Sequence, residues 1–140
     1  MGLDIRCIDT FVRVGSYSGV HIQRIGFLRA EALRLREEDR HEEADRVLAC
    51  IRSASEIHYD LVLRLKNVLL PGTYAFVYHS DCDGSWEADE AEAILDALGR
   101  FRPFLRAIPE FKDRLDEEDR YYLEDILSLS VRTGEFIYFM

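Results

Sequence analysis

The sequence carries no excess of positive charge, no paired cysteines and no long apolar run, and each absence removes a class of function. It has 18 basic and 27 acidic residues, a formal net charge of −9. A protein that binds nucleic-acid backbone needs a concentrated basic face to displace counterions, so general binding of that kind is not expected. Arg24, Arg29, Arg34, Arg36, Arg40 and Arg46 do gather in one part of the chain. At helical spacing among carboxylates they read as a solvated surface with ion pairs within helices. Cys7, Cys50 and Cys82 are odd in number and widely spaced, with no C-x-x-C pair. Charge already appears at Asp4 and Arg6, which is unlike a secretory segment. Together these features point to a reduced, cytoplasmic setting. No apolar stretch approaches the roughly 20 residues that span a bilayer, so no membrane partner is expected.

What is present suits one globular domain. The 140 residues are long enough to bury a core without a metal or disulfides, and 48% of them are hydrophobic. Residues 3–8 alternate and read as a strand, and 14–19 (VGSYSG) as a loop. Ile22, Ile25, Leu28, Ala32 and Leu35 line one face of a helix, with a turn following inside 37–43. A second helix carries Ala44, Val47, Leu48, Ile51 and Ala54, and its periodicity resumes through Leu61 and Leu65 until Pro71-Gly72. The aromatic, β-branched run 73–80 favours a strand. A helix through Ala91, Ile94, Leu95 and Leu98 should end at Gly99, and a shorter one holds Phe101 to Ile108. Asp116 suits the N-cap of a last helix closed by Gly134, and the final residues EFIYFM read as a strand. These elements predict an α+β fold: a mostly helical single domain with a small sheet formed by N- and C-terminal strands.

The one chemically pointed segment is HSDCDGSW at 79–86. Laid on a calcium loop, His79, Asp81 and Asp83 take alternate ligand positions, Gly84 the sharp turn and Glu90 the final bidentate position. A histidine in the first position replaces a hard oxygen ligand and weakens that reading. His79, Asp81, Asp83 and Cys82 also offer a mixed donor set suited to zinc or manganese. A structural reading needs no ion: the aspartates accept backbone N–H groups, Gly84 supplies a left-handed residue, and Ser85 caps the helix that follows. In it, Trp86 is a core plug, and Cys7 and Cys50 are buried small hydrophobes. Tyr74, Phe76 and Tyr78 either line a groove for a partner or alternate across a covered sheet.

The run AFVYHSDCDGS resembles the first motif of haloacid dehalogenase-like phosphatases, which implies Asp81 as nucleophile and Asp83 as acid/base with magnesium nearby. It is also similar to the opening motif of DHH-type phosphoesterases, which implies manganese on the same aspartates. The chain after Asp83 is too short for the rest of the first fold, and the second family's DHH triplet is absent. A wider resemblance covers MGLDI at 1–5, GSYSGVH at 15–21 and HSDCDGSW at 79–86. Together these resemble a group of small uncharacterised bacterial and phage proteins, with Val20 where that group has an aromatic residue. The resemblance brings no activity with it, but implies that Ser16, Tyr17, His21, His79, Asp81 and Asp83 form one polar cluster. The expected function is an accessory or protein-interaction module with a structured acidic turn and a protein as partner. The alternative is a divalent-metal-binding protein or metal-dependent phosphoesterase that uses residues 79–90, with calcium, zinc, manganese or magnesium as cofactor.

Overall fold

The computed structural model describes residues 2–78 and 84–140, with the backbone alone at 17 and 18. Strand β1 (Gly2–Cys7) buries Leu3, Ile5 and Cys7 on one face and leaves Arg6 outside, the period-2 alternation of a half-covered strand. It forms a hairpin with β2 (Thr10–Ser16) and pairs on its other side with the C-terminal strand β6 (Ile137–Phe139). A two-residue strand, β5 (Ser85–Trp86), completes an antiparallel sheet of order β2-β1-β6-β5. The expected sheet, made where the two ends of the chain meet, is therefore present, and helices dominate the rest.

Strand β2 corrects the loop expected at 14–19. The strand runs through Ser16 and the helix α1 (Tyr17–Glu37) begins at the next residue. Gly15, at φ +134°, sits where the register with β1 slips, so the glycine serves a bulge inside the strand. Ser16 ends it as the α1 N-cap, its Oγ accepting the Gly19 N–H at 3.1 Å.

On α1, Ile25, Leu28, Ala32 and Leu35 are buried as the periodicity requires, and Ile22 is half-buried. Phe27, Ala30, Gln23, Arg24, Glu31 and Arg34 are buried as well, because α1 is enclosed on more than one side. The solvated reading of the arginines is thus corrected at Arg24 and Arg34. It holds for the i,i+3 and i,i+4 pairs Arg40–Glu43 (2.7 Å) and Arg46–Glu42 (3.5 Å), whereas exposed Arg36 pairs beyond its own helix, with Asp45 at 3.4 Å. Glu31 has 0% exposure and no freedom to be unpaired: Oε2 accepts from Arg34 Nε and Nη2 at 3.1 and 2.7 Å, and Oε1 accepts the Leu70 N–H at 2.9 Å. Arg34 also donates to the Val68 carbonyl at 3.2 Å and to Glu38 at 2.7 Å.

Helix α2 (His41–Leu48) follows a turn at Glu38–Asp39, inside the expected interval. It stops at Leu48. Ile51 lies on β3 (Ile51–Ser53) and Ala54 in the turn to β4 (Glu56–Ile57), a separate two-stranded ribbon in place of the expected helical continuation. Helix α3 (Tyr59–Arg64) then starts with His58 as N-cap. Pro71 opens a helix rather than ending one: α4 (Pro71–Val77) replaces the strand expected from 73 onward. Proline at a first helical position lacks an N–H that the helix would leave unpaired anyway. Helix α5 (Ala88–Leu105) runs unbroken through Gly99 and Pro103, which corrects both the expected end at Gly99 and the separate shorter helix. Asp116 holds a turn, accepting N–H groups from Glu118 and Arg120 at 2.8 and 2.9 Å, and the last helix α6 (Glu124–Thr133) begins later. Gly134 closes α6 in the left-handed region, as expected.

The core is aromatic at its centre. Phe27 stacks on Phe76 with centroids 4.2 Å apart and meets Phe111 and Tyr121 edge-on at 5.6 and 6.0 Å. Trp86 is the core plug the sequence suggests: its ring meets Phe139 edge-on at 4.7 Å, and Nε1 donates to the Ala75 carbonyl at 3.3 Å. Cys7 and Cys50 are buried, and burial pushes the Cys50 thiol up to about 11. Among the described residues no helix is long and apolar enough to cross a membrane.

Gly84 adopts φ +87°, the left-handed region expected of it, and its carbonyl accepts the Phe139 N–H at 3.1 Å. An alanine there puts a Cβ against the following carbonyl. Gly84→Ala is therefore expected to destabilise by about 1 kcal/mol in urea unfolding; an unchanged midpoint would show that the backbone accommodates alanine at this position.

Candidate functional site

Of the residues expected to form a site, His79, Asp81 and Asp83, with Cys82, lie outside the described residues, and the side chain of Tyr17 does too. The structure does describe both flanks of the acidic segment and the region of α1 that the sequence grouped with it. Ser16 caps α1. One turn further on, His21 Nδ1 lies 3.2 Å from the Tyr59 hydroxyl, and Arg24 Nη1 donates to that same oxygen at 3.1 Å. A guanidinium can only donate. The Tyr59 oxygen therefore accepts from Arg24 while standing within hydrogen-bond distance of the His21 ring.

Tyr59 in turn meets Tyr78 edge-on, with centroids 6.3 Å apart, and Tyr78 immediately precedes the acidic segment. Arg24, only 3% exposed, borders a gap of about 10 Å³ with Val20, Phe76, Trp86 and Phe139. The trio of His21 and Arg24 on α1 with Tyr59 at the start of α3 thus packs beside Tyr78 on one flank of the segment and close to Trp86 on the other. Arg24 and Tyr59 are the members that sequence reasoning missed. Arg24 lay hidden in a run of arginines, and Tyr59 reaches α1 only through the β3–β4 ribbon.

Glu90, expected as a final metal ligand, lies in the first turn of α5. Its Oε1 accepts the Glu87 N–H at 3.0 Å, closing the helix N-terminus. Among the described residues no group of three or more histidine, cysteine or acidic side chains converges as a metal site.

A groove of about 590 Å³ lies between α4 and α5. Because α4 is a helix, Tyr74 and Tyr78 share one face four residues apart while Phe76 turns into the core. The two tyrosine rings stack, centroids 5.2 Å apart and 11° from parallel, and Lys66 Nζ lies 5.3 Å from the Tyr74 centroid. Burial and the neighbouring Tyr78 hold the Tyr74 phenol above its ordinary value. Asp89 and Glu90 lie along the opposite side, with Pro71 and Ala93 as the apolar part of the lining. The arrangement offers flat aromatic surface, one ammonium and two carboxylates, the mixture of an adhesive surface rather than of a nucleophile with its base. Comparison of the chain with protein-family models, with curated proteins and with solved structures finds no match.

Proposed function

We propose that the chain is a small protein-interaction module that receives a partner's peptide segment in the α4–α5 groove. The stacked Tyr74–Tyr78 pair carries this reading. Tyrosine presents a large, rigid contact area that loses little conformational entropy on binding, and Tyr78 keeps 40% of its surface exposed. Asp89 and Glu90 on the far side, and the aspartates that follow Tyr78 in sequence, favour a segment bearing a basic residue. A buried guanidinium and an imidazole are the complements that two aspartates need, which is the polar cluster of Ser16, Tyr17, His21, His79, Asp81 and Asp83 with Arg24 and Tyr59 added.

Photo-crosslinking in the source cells tests the module. A benzophenone side chain at position 78 should capture a discrete protein, and one at position 100, on the exposed side of α5, should not. Tyr74→Ala should lower the yield at least about fivefold, as loss of an aromatic anchor does. A folded protein that gives no adduct from position 78 overturns the proposal. Calorimetric titration with calcium, magnesium, manganese and zinc separates the alternative. Micromolar binding abolished by Asp81→Asn and Asp83→Asn, with no adduct at 78, would instead establish a metal-dependent protein.

A further inference from the structure

We propose that the free edge of β2 is a self-pairing surface, through which two copies of this chain join antiparallel and continue one sheet across a two-fold axis. Among the described residues the strand order leaves β2 outermost. Past the bulge the Val14 carbonyl is already taken, accepting from Gln23 Nε2 and the Tyr122 hydroxyl, each at 3.0 Å. The open part of the edge is therefore Thr10–Arg13.

The register says which backbone groups face outward. Cys7 and Thr10 close the hairpin around Ile8 and Asp9, and the next pairs are Arg6↔Phe11, Ile5↔Val12 and Asp4↔Arg13. In an antiparallel ladder the closing pair exchanges both hydrogen bonds and the pattern then alternates. Ile5 and Val12 thus bond each other, whereas the N–H and C=O of Phe11 and Arg13 point away from β1. Edges that must stay single are blunted by proline, lysine, inward charge or a bulge. Thr10–Arg13 has no proline, lysine or inward charge, its one charged residue Arg13 is exposed, and Phe11 is 59% exposed.

The edge is complementary to itself. A two-fold axis through Val12 sets Phe11 opposite the partner's Arg13, on the same outer face and within bonding register, and repeats the pair symmetrically. Each pair places a guanidinium over an aromatic ring. The present partner of Arg13 is Asp4 at 3.2 Å, an exposed ion pair that holds it only weakly. Charge favours this location too. The chain as a whole is strongly acidic, but in the hairpin Asp4 and Asp9 are balanced by Arg6 and Arg13, so two copies meet where their mutual repulsion is least. None of the groove's residues is used.

Sedimentation equilibrium over roughly 10 μM to 1 mM should show a reversible dimer, the range expected for a short edge. Phe11→Pro removes one outward N–H and spares the hairpin, and should weaken the dimer at least about tenfold with the circular dichroism spectrum unchanged. Phe11→Arg, which faces the partner's Arg13 with like charge, should do the same, while Phe11→Glu should retain the dimer through an ion pair. A monomer throughout the range overturns the proposal. So does a dimer indifferent to these substitutions, or one lost only with Tyr138→Ser, which would put the contact on the sheet face instead.

Discussion

Replacing Arg34 by methionine is expected to lower stability by about 3–5 kcal/mol, a large share of what holds a domain of this size together. The reason is the carboxylate left behind. Glu31 is fully buried, and without the guanidinium its only remaining partner is the Leu70 N–H. An isolated charge in that position has lost its hydration and gained nothing in exchange. The double variant Arg34→Met with Glu31→Gln should be more stable than Arg34→Met alone, because an amide oxygen still accepts from Leu70 and no charge is stranded. Equilibrium unfolding in urea of both single variants and the double variant measures this coupling. Additive effects would mean that the pair is solvated in solution. The effect reaches the proposed groove as well, since Glu31 and Arg34 grip Leu70 and Val68, the residues that lead into α4.

Gly72→Ala is expected to be nearly as damaging, by about 3 kcal/mol, with a fall of roughly 10 °C in the thermal midpoint. A Cβ on Gly72 would stand 2.1 Å from the Ala93 carbonyl oxygen and 2.7 Å from the Ile94 Cα. Both belong to the backbone of α5, which cannot swing aside as a side chain would. Helix α4 must then retreat from α5, opening the groove between them. Gly99→Ala provides the opposite sign. Gly99 lies on the same helix α5, and its Cβ would meet nothing within 4 Å. There the gain in helix propensity should stabilise by up to about 1 kcal/mol. Differential scanning calorimetry of the two variants compares them directly, and equal shifts would show that the close approach at Gly72 does not decide the packing.

These residues also show what sequence could and could not convey. The sheet formed by the ends of the chain was legible because β1 and the C-terminal strand each carry an unmistakable apolar pattern. Strand β2 was not. Its hairpin turns on Ile8-Asp9, with Ile8 at φ +54°, where the usual signal is asparagine or aspartate followed by glycine. Helix α4 was hidden by composition: Tyr74, Phe76, Val77 and Tyr78 favour strands by propensity. Contact of Phe76 with Phe27 and of Gly72 with α5 overrides that preference. The end expected at Gly99 failed for the converse reason, since burial of Phe101 and Leu105 carries α5 past an unfavourable residue. Burial of polar side chains on α1 had no local sign at all. An arginine at helical spacing looks the same whether it meets water or a buried carboxylate three residues away. At the site, Gly84 and Trp86 behave as their types suggest, whereas Arg24 and Tyr59 become visible only once α3 is set beside α1.

The position of β6 between β1 and β5 has a consequence for biosynthesis. On the ribosome, β1 waits with its inner edge unpaired until residues 137–139 have been made. Closure of the sheet thus depends on a contact between parts of the chain far apart in sequence, which slows it. Meanwhile the nascent hairpin, apolar and open on both edges, is the segment that a chaperone would have to shield.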